Sequence, residues 1–250
     1  MKVLYIAGRE LRAAFTTTVG WIVLCGWLEI TGLFWVLLVS NYAMESQNLV
    51  FNPYAGAYMN LTDYLLSPFF GNCAVILVMV VPALTMRTFS EEFANRSMEL
   101  LATSPVSTAE IVLGKYLGVL GFVLILLGLT LQYPVSLLRW GSPDWGAIAG
   151  GYIGLLLLSS VLLAMGIWFS SLTKNQLVSL ILTFVVALGL MVLEWGSRSP
   201  DDWMAQLSYM SHLSEVLQGA IRLSDLAYFG GGVVFFLLAT HQRMESFRWS

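Results

Sequence analysis

The 250-residue chain is too apolar to be an ordinary soluble domain, because 58% of its residues are hydrophobic and only 11% are charged. Soluble domains contain about 25% charged residues, and the mean hydropathy of +0.77 also indicates a membrane protein. The net charge is −3, so we expect no nucleic-acid partner. Cys25 and Cys73 have no paired spacing, and we expect free thiols, with neither a disulfide nor a metal site.

Residues 1–18 predict a basic amphipathic helix. Such a helix before a membrane span lies most simply in the plane of the membrane interface. The apolar residues that share one helical face are Val3, Leu4, Ala7, Leu11, Ala14 and Phe15, with Lys2, Arg9 and Arg12 off that face.

The long apolar runs predict an all-α membrane protein with one transmembrane domain over residues 1–250. Residues 64–86 and 116–138 contain no charged side chain, and a helix of that length is about 34 Å long, enough to cross a bilayer. We expect six spans at about 21–40, 68–86, 111–133, 146–170, 176–194 and 225–241, with residues 87–110 as a charged loop and 195–224 as an outer helical segment.

The basic residues predict the orientation, because Lys and Arg concentrate on the cytoplasmic side of membrane proteins. With the N-terminus inside, nine of the twelve basic residues are cytoplasmic. We therefore expect both termini and the 87–110 loop in the cytoplasm. The three basic residues left outside are Arg139, Arg198 and Arg222.

The 87–110 loop predicts a helix that joins the third span through a stiff corner. Ser90 is placed to cap an amphipathic helix that extends to Leu101. Pro105 ends this helix, because the residue before a proline is pushed out of helical geometry. Ser107 and Glu110 then predict a capping box at the start of the third span.

Residues 90–118 read SEEFANRSMELLATSPVSTAEIVLGKYLG. This segment resembles the signature loop of ABC-2-type transporter permeases, in which Glu-Glu is followed by Glu-Leu-Leu, Thr-Ser-Pro-Val and Glu-Ile-Val-Leu-Gly-Lys. The small size is similar to the permease of the gliding-motility-associated branch. Two departures blur the subfamily: Arg96-Ser97 where many relatives have Gly-Thr, and Phe93 where they have a basic residue.

The resemblance implies a permease subunit in the bacterial inner membrane that exports a substrate with the help of cytoplasmic ABC ATPase subunits and a second permease copy or paralogue. ATP and Mg would be bound by the ATPase, and this chain has no Gly-x4-Gly-Lys-Ser/Thr motif of its own. The alternative is a non-exporting membrane anchor of an ATPase-driven surface or gliding-motility machine, with a periplasmic-domain subunit as a further partner. The residues expected to contact the ATPase are Glu91, Glu92, Arg96 and Glu99, with Pro105 as the corner.

A catalytic role for this chain is not expected, because no Ser–His–Asp set, carboxylate pair or Cys/His cluster occurs. An intramembrane enzyme would need paired ionisable residues inside the spans, and only Glu29 lies there. A mid-span carboxylate costs about 2.5–3.5 kcal/mol, so Glu29 should face protein or water, either as a polar contact in the path or subunit interface or as a protonated, satisfied side chain. His212 and His241 are expected to be ordinary. The spans contain no polar stripe, which favours a lipid-like or hydrophobic cargo over a small ion without identifying it.

Small residues at four-residue spacing predict close helix packing, within the chain more than between subunits. The outer segment 195–224 predicts a helix that lies against the membrane just before the last span. The resemblance to ABC-2-type permeases implies a short helical hairpin here, as a lid, and an interfacial anchor is the alternative. Residues 230–232 are three glycines and indicate a weak or kinked last span. The packing glycines are Gly114, Gly118, Gly146, Gly150 and Gly154.

Overall fold

The protein is all-helical, which confirms the predicted fold class. The structure, a computed structural model, describes residues 2–48, 61–95, 97, 106–139, 144–196, 202–217, 219–220 and 222–249. Of these residues 92% are helical and none lies in a strand. Six helices in the described part are long and apolar enough to cross a membrane, the number that the sequence predicts.

Eleven α-helices follow one another in the described part of the chain, and a π-helical turn (Thr62–Leu66) precedes the third of them. The six long ones are candidate spans, and the short ones lie at their ends. The bounds are α1 (Lys2–Thr16), α2 (Thr18–Asn48), α3 (Ser67–Thr85), α4 (Ser90–Ala94), α5 (Thr108–Thr130), α6 (Gln132–Ser136), α7 (Trp145–Leu172), α8 (Gln176–Gly196), α9 (Trp203–Leu207), α10 (Tyr209–Leu217) and α11 (Leu223–Trp249).

Three of the spans form the centre of the bundle. In α3, α5 and α7 between 56% and 67% of the most apolar window is buried, against 17% in each of α2, α8 and α11. Aromatic side chains fix the contacts of α3: Phe69 packs on Trp35 of α2 with ring centroids 5.0 Å apart, and Phe70 packs on Tyr152 of α7 at 5.2 Å. The three outer spans therefore leave large apolar faces for lipid or another subunit.

The helices at both ends of the bundle are longer than the apolar runs that predict them. Helix α2 continues to Asn48, and α11 continues to Trp249 without a break at residues 230–232. The last turns of α11 remain helical because they pack on the protein. Met244 is buried there, and the Phe247 ring lies 5.1 Å from the Phe93 ring of α4.

Helix α1 packs lengthwise on α5, so it is part of the bundle. The face that contacts α5 is shifted from the predicted apolar face: it includes Ile6 and Glu10, while Leu4 is 73% exposed. This contact brings a carboxylate on α1 to the first turns of the third span, where the most highly charged part of the structure lies.

Candidate functional site

A hydrogen-bonded turn (residues 86–89) joins α3 to α4, and its backbone is held by a side chain from α7. The Ser170 hydroxyl accepts hydrogen bonds from the backbone N–H groups of Phe89 at 3.0 Å and Ser90 at 3.1 Å. It also donates to the carbonyl of Met86 at 3.2 Å. One hydroxyl thus uses its donor and both its acceptor sites on this corner. We call residues 86–90 the α3–α4 corner.

The predicted cap of α4 by Ser90 is wrong. The Ser90 hydroxyl donates backward to the carbonyl of Met86, and the residue at the N-cap position is Phe89, without a side-chain cap. Ser170 on a different helix supplies the acceptor that the first N–H groups of α4 need. The start of α4 therefore depends on α7.

Lys115, near the start of α5, holds the same corner from the other side. Its side chain is only 2% exposed, and its ammonium donates to the Thr88 carbonyl at 2.8 Å. The ammonium also contacts Glu92 Oε1 of α4 at 2.7 Å and Glu10 Oε1 of α1 at 3.1 Å. An ammonium has three N–H donors, so each of them has an acceptor, which is the condition for burying such a charge without a large cost.

Arg9 completes a neutral group of two cations and two carboxylates, which we call the Lys115 cluster (Arg9, Glu10, Glu92 and Lys115). The Arg9 guanidinium lies 3.0 Å from Glu10 Oε1 and 3.5 Å from Glu92 Oε1. Burial by itself would raise the pKa of Glu10, but the neighbouring Lys115 and Arg9 outweigh burial and hold that pKa below its usual value. The carboxylate therefore stays charged, and α1, α4 and α5 are joined by ion pairs.

The cluster can form because two glycines let α1 approach α5 closely. A Cβ atom on Gly118 would lie 2.6 Å from the Glu10 Cβ and 2.8 Å from the Ala7 carbonyl oxygen. One on Gly114 would lie 2.7 Å from the Ile6 Cβ. Any larger residue would push α1 away and lengthen the contact between Glu10 and Lys115.

The residues predicted to contact the ATPase do not all face the same way. The Glu91 side chain is exposed, whereas the Glu92 carboxylate faces the bundle and its side chain is 15% exposed. The second oxygen of Glu92 is buried and has no hydrogen-bond partner in the described part of the chain. Three of the predicted contact and corner residues lie outside the described residues: Arg96, Glu99 and Pro105.

The start of the third span is as the sequence predicts. Ser107 Oγ accepts the N–H of Glu110 at 3.2 Å, and the Glu110 carboxylate accepts the N–H of Ser107 at 3.0 Å. This capping box is confirmed, and it fixes the first turn of α5, seven residues before Lys115.

At the other end of the bundle, α9 and α10 form a short hairpin that packs into α7. A Cβ on Gly150 would lie 2.8 Å from the Gly219 Cα, and one on Gly154 would lie 3.2 Å from a methyl group of Val216. Gly146 has only the Asp144 carboxylate within 4 Å. Gly150 and Gly154 thus allow the hairpin to pack closely against α7.

The hairpin is attached to α11 by a polar contact that sequence reasoning missed. His212 Nδ1 lies 2.7 Å from Oδ1 of Asp225, whose side chain is only 4% exposed, and the His212 ring stacks on Tyr228 with centroids 4.3 Å apart. His212 was expected to be ordinary, and no local pattern in the sequence connects it with Asp225, which is 13 positions further along the chain. His241 only approaches Glu245, at 3.5 Å, on the surface of its own helix.

Glu29 lies on the exposed face of α2, with Cys25 one turn before it. It has no ion-pair or hydrogen-bond partner among the described side chains. No group of three or more His, Cys, Asp or Glu residues that could hold a metal occurs in the described ranges.

A cavity of about 430 Å³ lies beside the Lys115 cluster, between the α1–α2 bend, the end of α3 and the first half of α5. The cluster and the α3–α4 corner form its polar side. Within the described residues, this end of the bundle therefore combines ion pairs, hydrogen bonds and a cavity that a binding partner could contact.

One comparison with known proteins identifies a family. The family described as ABC-2 family transporter protein matches residues 37–235, which is more than half of the 250 residues. No curated protein matches the chain. The matched range includes the α3–α4 corner, Lys115 and the α9–α10 hairpin, and it leaves out α1.

Proposed function

Since the chain belongs to the ABC-2 family transporter proteins, we propose that it is the permease subunit of a transporter whose ATP is hydrolysed by separate cytoplasmic ABC ATPase subunits. The chain is a multi-pass membrane protein and, by family, a membrane subunit of a transporter. In this proposal it works beside a second copy or a paralogue in the bacterial inner membrane, and it exports its substrate.

The observation that supports coupling is the bonding of the α3–α4 corner to two central spans. Ser170 of α7 and Lys115 of α5 each hold backbone atoms of this corner. A displacement of α4 by a partner would therefore pull directly on α5 and α7. It would also reach α1 through Glu10 and α11 through the Phe93–Phe247 contact.

The proposed orientation follows from the basic residues. Nine of the twelve Lys and Arg residues are on the side of the α3–α4 corner when both termini are cytoplasmic, and that bias is the usual one for inner-membrane proteins. The corner then faces the compartment that contains ATP. The outer hairpin (α9 and α10) faces the opposite side, at the exit of an exported substrate.

In this proposal, different side chains of the segment bind the ATPase and transmit its motion to the bundle. Glu91 is the exposed carboxylate of α4 and would contact the ATPase, with Arg96 and Glu99 further along the segment and Pro105 as the stiff corner before α5. Glu92 points into the bundle, where its contact with Lys115 would transmit the motion. Mutating the two glutamates separately therefore distinguishes binding from transmission.

The test is charge reversal of Glu91 in the full chain, expressed together with a candidate ABC ATPase subunit. A Glu91→Lys variant should weaken co-purification of the ATPase about tenfold, which corresponds to about 1.4 kcal/mol. Glu45→Lys is the matched control, because Glu45 is an exposed acidic residue near the opposite end of a span. Unchanged binding of Glu91→Lys, or equal loss in both variants, would show that α4 is not the docking segment.

A transport assay on the same complex distinguishes export from the alternative role, a non-exporting anchor of a surface machine. In vesicles that contain the permease and its ATPase, an exporter transfers lipid-like cargo between leaflets in an ATP-dependent way. An anchor binds the ATPase and supports hydrolysis but transfers no cargo. Loss of transfer in Glu92→Gln, with ATPase binding retained, would support the proposed route through Lys115.

A further inference from the structure

The cavity beside the Lys115 cluster has one apolar wall and one charged wall. The apolar wall is made by Val19, Leu84, Val119 and Phe122. Val19 is the second residue of α2 and Leu84 is the last but one of α3, so the cavity lies where two spans reach the membrane surface. A cavity with an apolar and a charged wall at the membrane surface suits an amphiphilic ligand better than a purely water-soluble one.

The charged wall has one cation and one carboxylate that no described residue pairs. Six ionisable side chains line the cavity, and four of them form the neutral Lys115 cluster. The remaining two are Arg87 and Glu91, whose side chains have no ion-pair or hydrogen-bond partner within the described residues. A ligand that has both a negative and a positive group would satisfy both.

We infer that this cavity binds the headgroup of an ethanolamine phospholipid, with the phosphate on Arg87 and the ammonium on Glu91. Arginine binds phosphate through two parallel N–H···O bonds. The ethanolamine ammonium has three N–H donors for a carboxylate. The acyl chains leave along the apolar wall, between α2 and α3.

The chemistry of the two free side chains discriminates among common headgroups. A choline headgroup has a positive charge but no N–H donor, so it cannot hydrogen-bond to Glu91. A phosphoglycerol headgroup is purely anionic, and it would place its phosphate near the Glu91 carboxylate without a compensating cation. The expected order of affinity is therefore ethanolamine above choline and glycerol. This inference goes beyond the proposed function, because it gives Glu91 a ligand in the absence of the ATPase, and headgroup and ATPase would compete for that carboxylate.

The test uses the full chain in nanodiscs made from equal amounts of ethanolamine, choline and glycerol phospholipids with identical acyl chains. The lipids that remain bound after transfer to detergent are counted by native mass spectrometry. Ethanolamine lipid should be enriched over both others, and Arg87→Gln and Glu91→Gln should each lower the enrichment about tenfold, the loss expected for one charge-assisted hydrogen bond.

Two controls keep the test specific. Lys174→Gln and Glu45→Gln remove exposed charges elsewhere, at the α7–α8 connection and near the end of α2, and both should leave the enrichment unchanged. Because Glu91 is exposed, its amide variant should fold even if Arg87→Gln does not. The inference is overturned if ethanolamine lipid is not enriched, or if the control variants lose the enrichment equally.

A competition experiment identifies the source of the headgroup. Glycerophosphoethanolamine, which has the same headgroup and no acyl chains, should displace the lipid at least about tenfold less well than a short-chain ethanolamine phospholipid, because it lacks the apolar contact. Equal displacement by the two would show that the ligand is a free solute. No ATPase is present in either assay, so a negative result leaves the coupling proposal standing.

Discussion

Lys115 on α5 and Glu92 on α4 form an ion pair of 2.7 Å inside the helical bundle. The ammonium also bonds to the Thr88 carbonyl, so the same side chain holds both the corner and the helix that follows it. Nothing else in the described structure links α4 to the start of the third span by charge. The pair is therefore the most direct connection between the segment proposed to contact the ATPase and the centre of the bundle.

Replacing the lysine should destabilise the protein strongly. A Lys115→Met change leaves Glu10 and Glu92 as buried carboxylates with only Arg9 beside them, and breaking a buried pair in this way costs about 3–5 kcal/mol. Thermal unfolding in detergent, followed by circular dichroism, should show a clearly lower midpoint. Lys174→Met removes an exposed lysine and should change the midpoint little. Equal midpoints for the two variants would contradict the assigned role of Lys115.

Ser170 offers a sharper test of transmission, because its neighbour is a matched control. Ser170→Ala leaves the N–H groups of Phe89 and Ser90 without their acceptor, at a cost of about 1–3 kcal/mol for an unsatisfied buried group. Ser171 is also buried, but its hydroxyl bonds only to the Trp168 carbonyl of its own helix. Ser170→Ala should lower ATP-dependent transport while ATPase binding remains, and Ser171→Ala should do neither.

The structural features that could be predicted from the sequence are those that depend on neighbouring residues or on long apolar runs. The six spans follow from apolar runs, and the capping box follows from Ser107 and Glu110, which are three residues apart. The contacts of the corner could not be predicted in the same way, because Ser170 is 81 residues from Phe89 in the chain. One signal was present: Lys115 begins a long uncharged run, and a lysine that enters a bundle needs acceptors.

The predicted capping of α4 by Ser90 is wrong for a related reason. Ser90 has the residue type of a helix cap and is followed by two glutamates, which is a typical local pattern. The structure instead uses the Ser170 hydroxyl, which two backbone donors share, and Ser90 bonds to the preceding turn. The inward direction of Glu92 also depends on Lys115 and Arg9, whose positions are set by the packing of α1 on α5. Tertiary contacts thus determine which polar residues of the loop are available to a partner.

The close packing of α1 on α5 can be tested with two glycines of one helix. Gly118→Ala would bring a methyl group against the backbone of Ala7 and the Cβ of Glu10, so α1 must shift outward. Gly128→Ala in the same helix meets nothing within 4 Å and serves as the control. Hydrogen exchange of the α1 amides, measured by mass spectrometry, should become faster in Gly118→Ala only. Equal exchange in the two variants would show that α1 does not depend on this contact.

The stability of the α9–α10 hairpin should depend on His212, just as the packing around the α3–α4 corner depends on Lys115. His212→Ala removes the partner that lies 2.7 Å from the Asp225 carboxylate, together with the ring stacked on Tyr228. Leaving that buried carboxylate without this partner should cost about 1–3 kcal/mol. The lost contacts all lie between the hairpin (α9 and α10) and the start of α11. Limited proteolysis should therefore cut the hairpin faster in the variant.

His241→Ala is the matched control for this prediction. Within the described residues, the polar partner of His241 is Glu245 at 3.5 Å on its own helix, and such surface pairs contribute at most about 1 kcal/mol. Its proteolysis pattern at the hairpin should equal that of the unmodified protein. An intermediate variant, Asp225→Asn, keeps a hydrogen-bonding group opposite His212 and should lie between the two. If His212→Ala were cut no faster than His241→Ala, the hairpin would be held by its apolar packing on Gly150 and Gly154 alone.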